Sequence, residues 1–310
     1  PEDAVTLLAG LKSKVSPQTT VAYAKGCEIN DDSTSGIDEA VRIARESDVV
    51  IVAVGESAEM SGEAASRSTL DIPGRQLDLV KAVRATGKPV VIVLMNGRPL
   101  SINWIADNTP AILETWFAGT QAGNAIADVL FGDVNPGGKL PVTFPRSVGQ
   151  VPLYYNHKNT GRPPDANNKY TSKYLDLPWT PLFPFGYGLS YTQFKLTNLQ
   201  LSAPRIRPDG GLTVTADLEN VGQRAGDEVV QLYIRDAAAS ITRPVKELKG
   251  FRRITLQPGE KQRVEFKLTS RELGFYNREM RFVVEPGEFR VMVGPNSEEL
   301  LESKFAVAGR

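Results

Sequence analysis

Three glutamates stand close together in one polar loop. They are Glu56, Glu59 and Glu63, within Asp48–Pro73, DVVIVAVGESAEMSGEAASRSTLDIP. A carboxyl group can act as acid and base when its proton is held near neutral pH and a ligand comes within hydrogen-bond reach. Glu63 has the neighbours for that work. Ser61-Gly62 before it and Ala64-Ala65 after it are small and admit a bulky ligand. Arg67 could orient a carboxylate or hold a ligand hydroxyl. Acidic side chains mostly serve solubility, so an idle surface glutamate is the competing expectation. The reading carried forward is that the loop presents one carboxylic acid, Glu63, to a substrate.

The elements that must position this loop are legible in the same stretch. Val49–Val54 is an unbroken apolar run, the pattern of a strand buried on both faces in a parallel sheet. Gly55 breaks it, and a helix follows Asp71-Ile72-Pro73. Ligands in open α/β sheets bind beyond the carboxyl ends of strands, and long loops there are more often functional than decorative.

The surrounding pattern predicts an α/β fold with a mostly parallel sheet. Helical spacing marks Ala4–Val15, with Glu2 and Asp3 favouring its amino end, and Gly36–Glu46. It also marks Gly74–Thr86, started by Pro73 and ended by Gly87, and Ala122–Phe131. Strands are expected at Thr20–Ala24, Pro89–Met95 and Ala111–Phe117. Alternating apolar strands and amphipathic helices place helices on both faces of the sheet. With about four strands and an opening helix, a first strand is expected upstream of residue 1.

The texture changes from Asn135 to Pro184, where prolines, glycines, asparagines and aromatics replace periodicity. This reads as an ordered connection over the surface, too aromatic to be disordered. From about Phe194 the alternation is two-residue: LTVTADLEN, EVVQLYIRD, KELKGFRRITL, QRVEFKLT, MRFVVE and EFRVMVG, separated by Pro-Gly turns. An all-β sandwich of immunoglobulin or fibronectin type is expected. The domain reading is therefore 1–145 for the α/β part, 146–193 for the connection and 194–310 for the sandwich.

Composition narrows the function classes. The 310 residues carry 36 basic and 36 acidic side chains, so the basic excess of a nucleic-acid binder is missing. No apolar stretch is long enough to span a membrane. The single Cys27 excludes an internal disulfide, and the single His157 disfavours a histidine metal site or a Ser-His-Asp triad. Gly119-Thr120-Gln121-Ala122-Gly123 lacks phosphate-loop and dinucleotide spacing and reads as a tight turn with close helix packing. Trp116 reads as core, Trp179 as the ring best placed to face a ligand, and Asn96-Gly97-Arg98-Pro99 as turn chemistry.

Four blocks together resemble glycoside hydrolase family 3, in its bacterial periplasmic β-glucosidase group. They are GESAEMSGEAASRSTLDIPGRQLDLV, VLMNGRP, ETWFAGTQAGNAIADVLFGDVNPGGKLPVTFPRSVGQVP and LFPFGYGLSYTQF. PVKELKGFRRITLQPGE and EPGEFRVMVG resemble a terminal fibronectin type III-like domain. The resemblance implies an amino-terminal (β/α)8 barrel, absent from this sequence, then an (αβ) sandwich, then the fibronectin-like domain. It implies retaining hydrolysis of β-glucosides or cello-oligosaccharides. An aspartate of the barrel would be the nucleophile and Glu63 the general acid/base, with Glu56 and Glu59 as alternatives on a loop that varies in the family.

Expected substrate contacts are Ser61, Arg67 and Trp179. The resemblance further implies no cofactor or metal, a periplasmic or secreted location, the barrel portion as partner, and scope for a homodimer. A second reading, motivated by the missing nucleophile, is a non-catalytic scaffold or carbohydrate-binding fragment.

Overall fold

The computed structural model describes residues 3–309, so Glu2 lies outside the described residues. The chain divides into two units. One comprises residues 1–134 and 144–151; the other comprises residues 135–143 and 152–310.

The first unit runs α1 (Leu7–Lys14), α2 (Ile37–Glu46), β1 (Val50–Gly55), α3 (Gln76–Arg84), β2 (Val90–Met95), α4 (Asn103–Asn108), β3 (Ala111–Glu114) and α5 (Ala122–Leu130). The strands pair in the order β1-β2-β3, all parallel, with Val52 opposite Ile92 and Ile92 opposite Ile112. Val52, Val54, Val80, Ile92, Val93, Leu94 and Ile105 are buried in the core. Burial on both faces is realised in the central β2. On the edge strand β1, Ala53 is exposed. Thr6 caps α1, its hydroxyl accepting the Ala9 N–H at 3.1 Å. The same helix lies backbone-to-backbone on α5. A Cβ on Gly10 would sit 2.2 Å from the carbonyl oxygen of Gly123, so Gly123 serves close packing.

Three expectations are corrected. Thr20–Ala24 forms no strand: among the described residues no strand pairs with it, and Tyr23 is exposed. The described sheet therefore has three strands rather than about four. The third strand stops at Glu114 instead of Phe117, because Trp116 turns the chain with φ +53°. Helix α4 was not marked by its short, polar sequence.

The second unit contains β4 (Phe194–Leu201), β5 (Arg205–Ile206), β6 (Leu212–Asn220), β7 (Gly226–Asp236), β8 (Glu247–Leu256), β9 (Lys261–Leu268), α6 (Ser270–Leu273), β10 (Phe275–Tyr276), β11 (Phe282–Val283), β12 (Gly287–Gly294) and β13 (Leu301–Val307). One sheet is β4-β6-β9 and another is β5-β13-β12-β7-β8; β10 and β11 form a separate ribbon. The two larger sheets enclose a common core that includes Val214, Leu218, Leu232, Ile234, Leu256, Leu268, Val291 and Val293. Alternate residues of each strand point into it, as two-residue periodicity requires. The expected strand at MRFVVE shrinks to Phe282–Val283, while β4 and β13 were not singled out.

Residues 135–193 hold no α-helix or strand, yet they are tied down. Leu140 and the Gly186–Tyr187 backbone exchange two hydrogen bonds of 2.8 Å. Tyr155 stacks on Phe185 at 4.4 Å and meets the edge of buried Tyr233 at 5.5 Å.

Candidate active site

The loop begins where β1 turns against β2. Gly55 has φ +144°, and a Cβ there would lie 1.8 Å from the Met95 carbonyl oxygen. Only glycine meets both conditions. Gln76, the buried first residue of α3, fixes this corner. Its Oε1 accepts the Gly55 N–H at 2.8 Å. Its Nε2 lies 2.8 Å from Gly55 O, 2.9 Å from Ile29 O and 3.1 Å from Pro73 O. One amide thus joins both ends of the loop.

Glu56 comes next, with its carboxylate fully enclosed. Arg67 Nη1 is 2.7 Å away and Arg98 Nε is 3.0 Å away, and the Gly97 N–H donates at 3.2 Å. A buried carboxylate without partners would be untenable; two guanidinium groups and an amide offset its desolvation. The arginines also grip the loop's backbone. Arg67 donates to Asp71 O at 2.8 Å, and Arg98 donates to Ala65 O at 3.0 Å and to Met60 O. Residues 56–71 are therefore wound around one internal charge.

At the outside of this winding stands Glu63, exposed between Gly62 (φ +128°) and Ala64 (φ +59°). Ser61 is partly buried, its Oγ 3.4 Å from Arg98 Nη2. Glu59 is exposed on a 3-10 turn, Ala58–Met60. Of the site residues expected from sequence, Ser61, Glu63 and Arg67 share this loop. Trp179 lies in the second unit, with 36% of its surface exposed.

Sequence reasoning missed the residues that brace the loop. Arg98 was read as turn chemistry, and Gln76 was not singled out. Their common signal is position, just past a strand's carboxyl end or at a helix start. Beside them, at the end of β3, Glu114 Oε1 accepts the Trp116 N–H at 2.9 Å. Burial pushes its pKa up to about 7, while the Trp116 N–H and the Asn96 side chain partly oppose the rise. Among the described residues no group of three or more His, Cys, Asp or Glu side chains could hold a metal ion.

Chemically, the arrangement offers solvent-facing carboxyl groups, Glu59 and Glu63, on a braced loop at the carboxyl end of a parallel strand. The Glycosyl hydrolase family 3 C-terminal domain profile matches residues 1–191.

The chain belongs to glycoside hydrolase family 3.

The Fibronectin type III-like domain profile matches residues 228–297, within the two-sheet unit. The chain is 49% identical to "Periplasmic beta-glucosidase" of Salmonella typhimurium, over 97% of this chain and 42% of that protein. It is 50% identical to "Beta-xylosidase" of Formosa agariphila, over 95% of this chain and 40% of the relative. A crystal structure of the β-glucosidase from Listeria innocua in complex with glucose superposes with a TM-score of 0.93 at 42% identity. It covers 99% of this chain and 42% of that one. This family 3 chain thus spans about two-fifths of the length of such relatives. Its α/β part followed by a fibronectin-like β-sandwich is the fold expected from the sequence.

Proposed function

We propose that this chain supplies the general acid/base of a β-glucosidase that hydrolyses terminal, non-reducing β-D-glucosyl residues with retention of configuration. Glu63 is that residue. The observation that carries the assignment is the contrast within one loop: Glu56 is sealed between Arg67 and Arg98, whereas Glu63 is exposed on the winding they hold. The family resemblance of Ser61-Gly62-Glu63 followed by Arg67 favours it over the likewise exposed Glu59. A further portion of the protein, the barrel implied by the resemblance, supplies the nucleophilic carboxylate. The named β-glucosidase relatives support the substrate class, and the periplasmic one supports a periplasmic location.

Retaining hydrolysis requires two carboxyl groups roughly 5 Å apart. In the first step Glu63 gives its proton to the glycosidic oxygen while the nucleophile attacks the anomeric carbon. In the second, the Glu63 carboxylate takes a proton from water, which releases the sugar from the glycosyl-enzyme. Ser61 and Arg67 lie close enough along the chain to contact the substrate. Arg67 is already bonded to Glu56 and Asp71, so its larger effect is on loop shape.

In the full-length enzyme, Glu63→Ala lowers kcat/KM on cellobiose by about 10²–10⁴-fold, because protonation matters most for poor leaving groups. Aryl glucosides with good leaving groups suffer less, and azide partly restores turnover as an external nucleophile. Full activity of the variant on cellobiose would overturn the assignment. Trp179 is proposed separately as a sugar-stacking ring. Trp179→Ala raises KM by about 10-fold with a smaller change in kcat, as measured by initial rates.

A further inference from the structure

Glu114 is a buried carboxyl group that the proposed chemistry does not use. It ends β3, next to β2 in the sheet, with Leu94 opposite it in the ladder. Its two oxygens are in different situations. Oε1 accepts the Trp116 N–H at 2.9 Å, holding a turn in which a bulky tryptophan adopts φ +53°. Backbone of that kind persists only where its surroundings over-determine it. Oε2 is buried and has no hydrogen-bond partner.

The side chain beside the carboxyl is Asn96, which is fully buried. Its Nδ2 donates to Arg98 O at 2.7 Å, and its Oδ1 is likewise buried without a partner. An ionised Glu114 would therefore add one more unsatisfied acceptor to a site that already has one. A proton on Oε2 removes the charge from a buried oxygen that no donor meets, whereas an ionised carboxylate competes with Arg98 O for the Asn96 N–H groups.

We propose that Glu114 is carried as the neutral carboxylic acid and that, through Asn96 and Arg98, it positions the loop bearing Glu63. The proposal rests on the acid/base reading of that loop. The link is physical: Asn96 holds the Arg98 backbone, and the Arg98 guanidinium holds Glu56, Met60 O and Ala65 O. The charged groups at the ends of β1 and β2, Glu56, Arg67 and Arg98, are bonded to one another. The influences on Glu114 are desolvation, the Trp116 N–H and the Asn96 amide. Above neutral pH the carboxyl must ionise among uncharged groups, and the Asn96–Arg98 corner loosens.

Two readouts test this. Infrared difference spectra of the 310-residue chain, titrated from about pH 5 to 9, are expected to show a protonated carboxylic acid disappearing near neutrality in the wild type. The Asp236 carboxyl, pushed up to about 6 by burial, titrates in both proteins, whereas in Glu114→Gln the signal near 7 is missing. Its presence in the variant, or its absence from the wild type, overturns the neutral acid whether or not Glu63 is catalytic. In the full-length enzyme, Glu114→Gln is expected to keep kcat/KM within about threefold at acidic pH and to shift the alkaline limb of the profile upward by at least about tenfold in proton concentration. A loss above about 100-fold at acidic pH, or an unmoved alkaline limb, overturns the positioning role. Glu63→Ala with azide rescue judges the acid/base reading separately.

Discussion

At the scale of the residue, the loop separates two glutamates that composition cannot tell apart. Glu56 and Glu63 share charge, length and neighbourhood in sequence. One is locked between two guanidinium groups and the other faces outward. Removing the locked one should damage folding rather than chemistry. Glu56→Ala leaves Arg67 and Arg98 partly buried without their anion, and breaking a buried pair costs about 3–5 kcal/mol. Chemical denaturation reads this as a lower midpoint, and a change below about 1 kcal/mol would contradict it. Glu114 gives a pH signature of its own. Its folded pKa of about 7 lies above the model-peptide value near 4.3, so the folded state holds the proton more tightly. Stability from this group is complete below the unfolded pKa and declines as pH rises toward the folded one. The decline amounts to roughly 4 kcal/mol and is erased in Glu114→Gln. Stability measured at a series of pH values checks both magnitude and sign. The exposure of Glu63 was foreshadowed by its small neighbours. The enclosure of Glu56 was not, because it depends on Arg98, forty-two positions away along the chain.

At the scale of the element, the apolar runs were the legible part. Val50–Gly55 and Val90–Met95 are strands because each is a continuous β-branched or aliphatic run, and the two-residue alternation of Leu212–Asn220 declares β6 equally directly. What the pattern could not show was where partners end. Thr20–Ala24 has strand composition and no strand beside it among the described residues. Ala111–Phe117 has a strand's apolar content, but Trp116 turns away. The junction of β1 and its loop is the least tolerant point. Gly55→Ala would place a methyl group against Met95 O in a backbone conformation that alanine resists. A loss of roughly 3 kcal/mol or more is expected, seen as a lower melting temperature of the first unit by calorimetry. A neutral outcome would mean that β1 and β2 can separate at no cost.

At the scale of the whole molecule, neither unit is one continuous piece of chain. Residues 135–143 group with the β-rich unit and residues 144–151 with the α/β unit. The exchange has energetic content. Lys139 pairs with Glu228 at 2.8 Å, both side chains nearly enclosed, and Leu140 is bonded to the backbone of Gly186 and Tyr187. Lys139→Ala leaves Glu228 buried without its cation, so a loss of about 3–5 kcal/mol is expected in the melting of the β-rich unit. A change confined to the α/β unit would contradict this grouping. The interleaving places a constraint on inheritance. A crossover placed at the start of the fibronectin-like strands would leave behind a nine-residue strip that its own sandwich is built to hold. Successful shuffling between relatives would favour exchanges that keep each strip with its own unit, since a single breakpoint ahead of Asn135 strands residues 144–151 instead. The boundary that matters to a recombining gene lies well upstream of the one visible in strand periodicity.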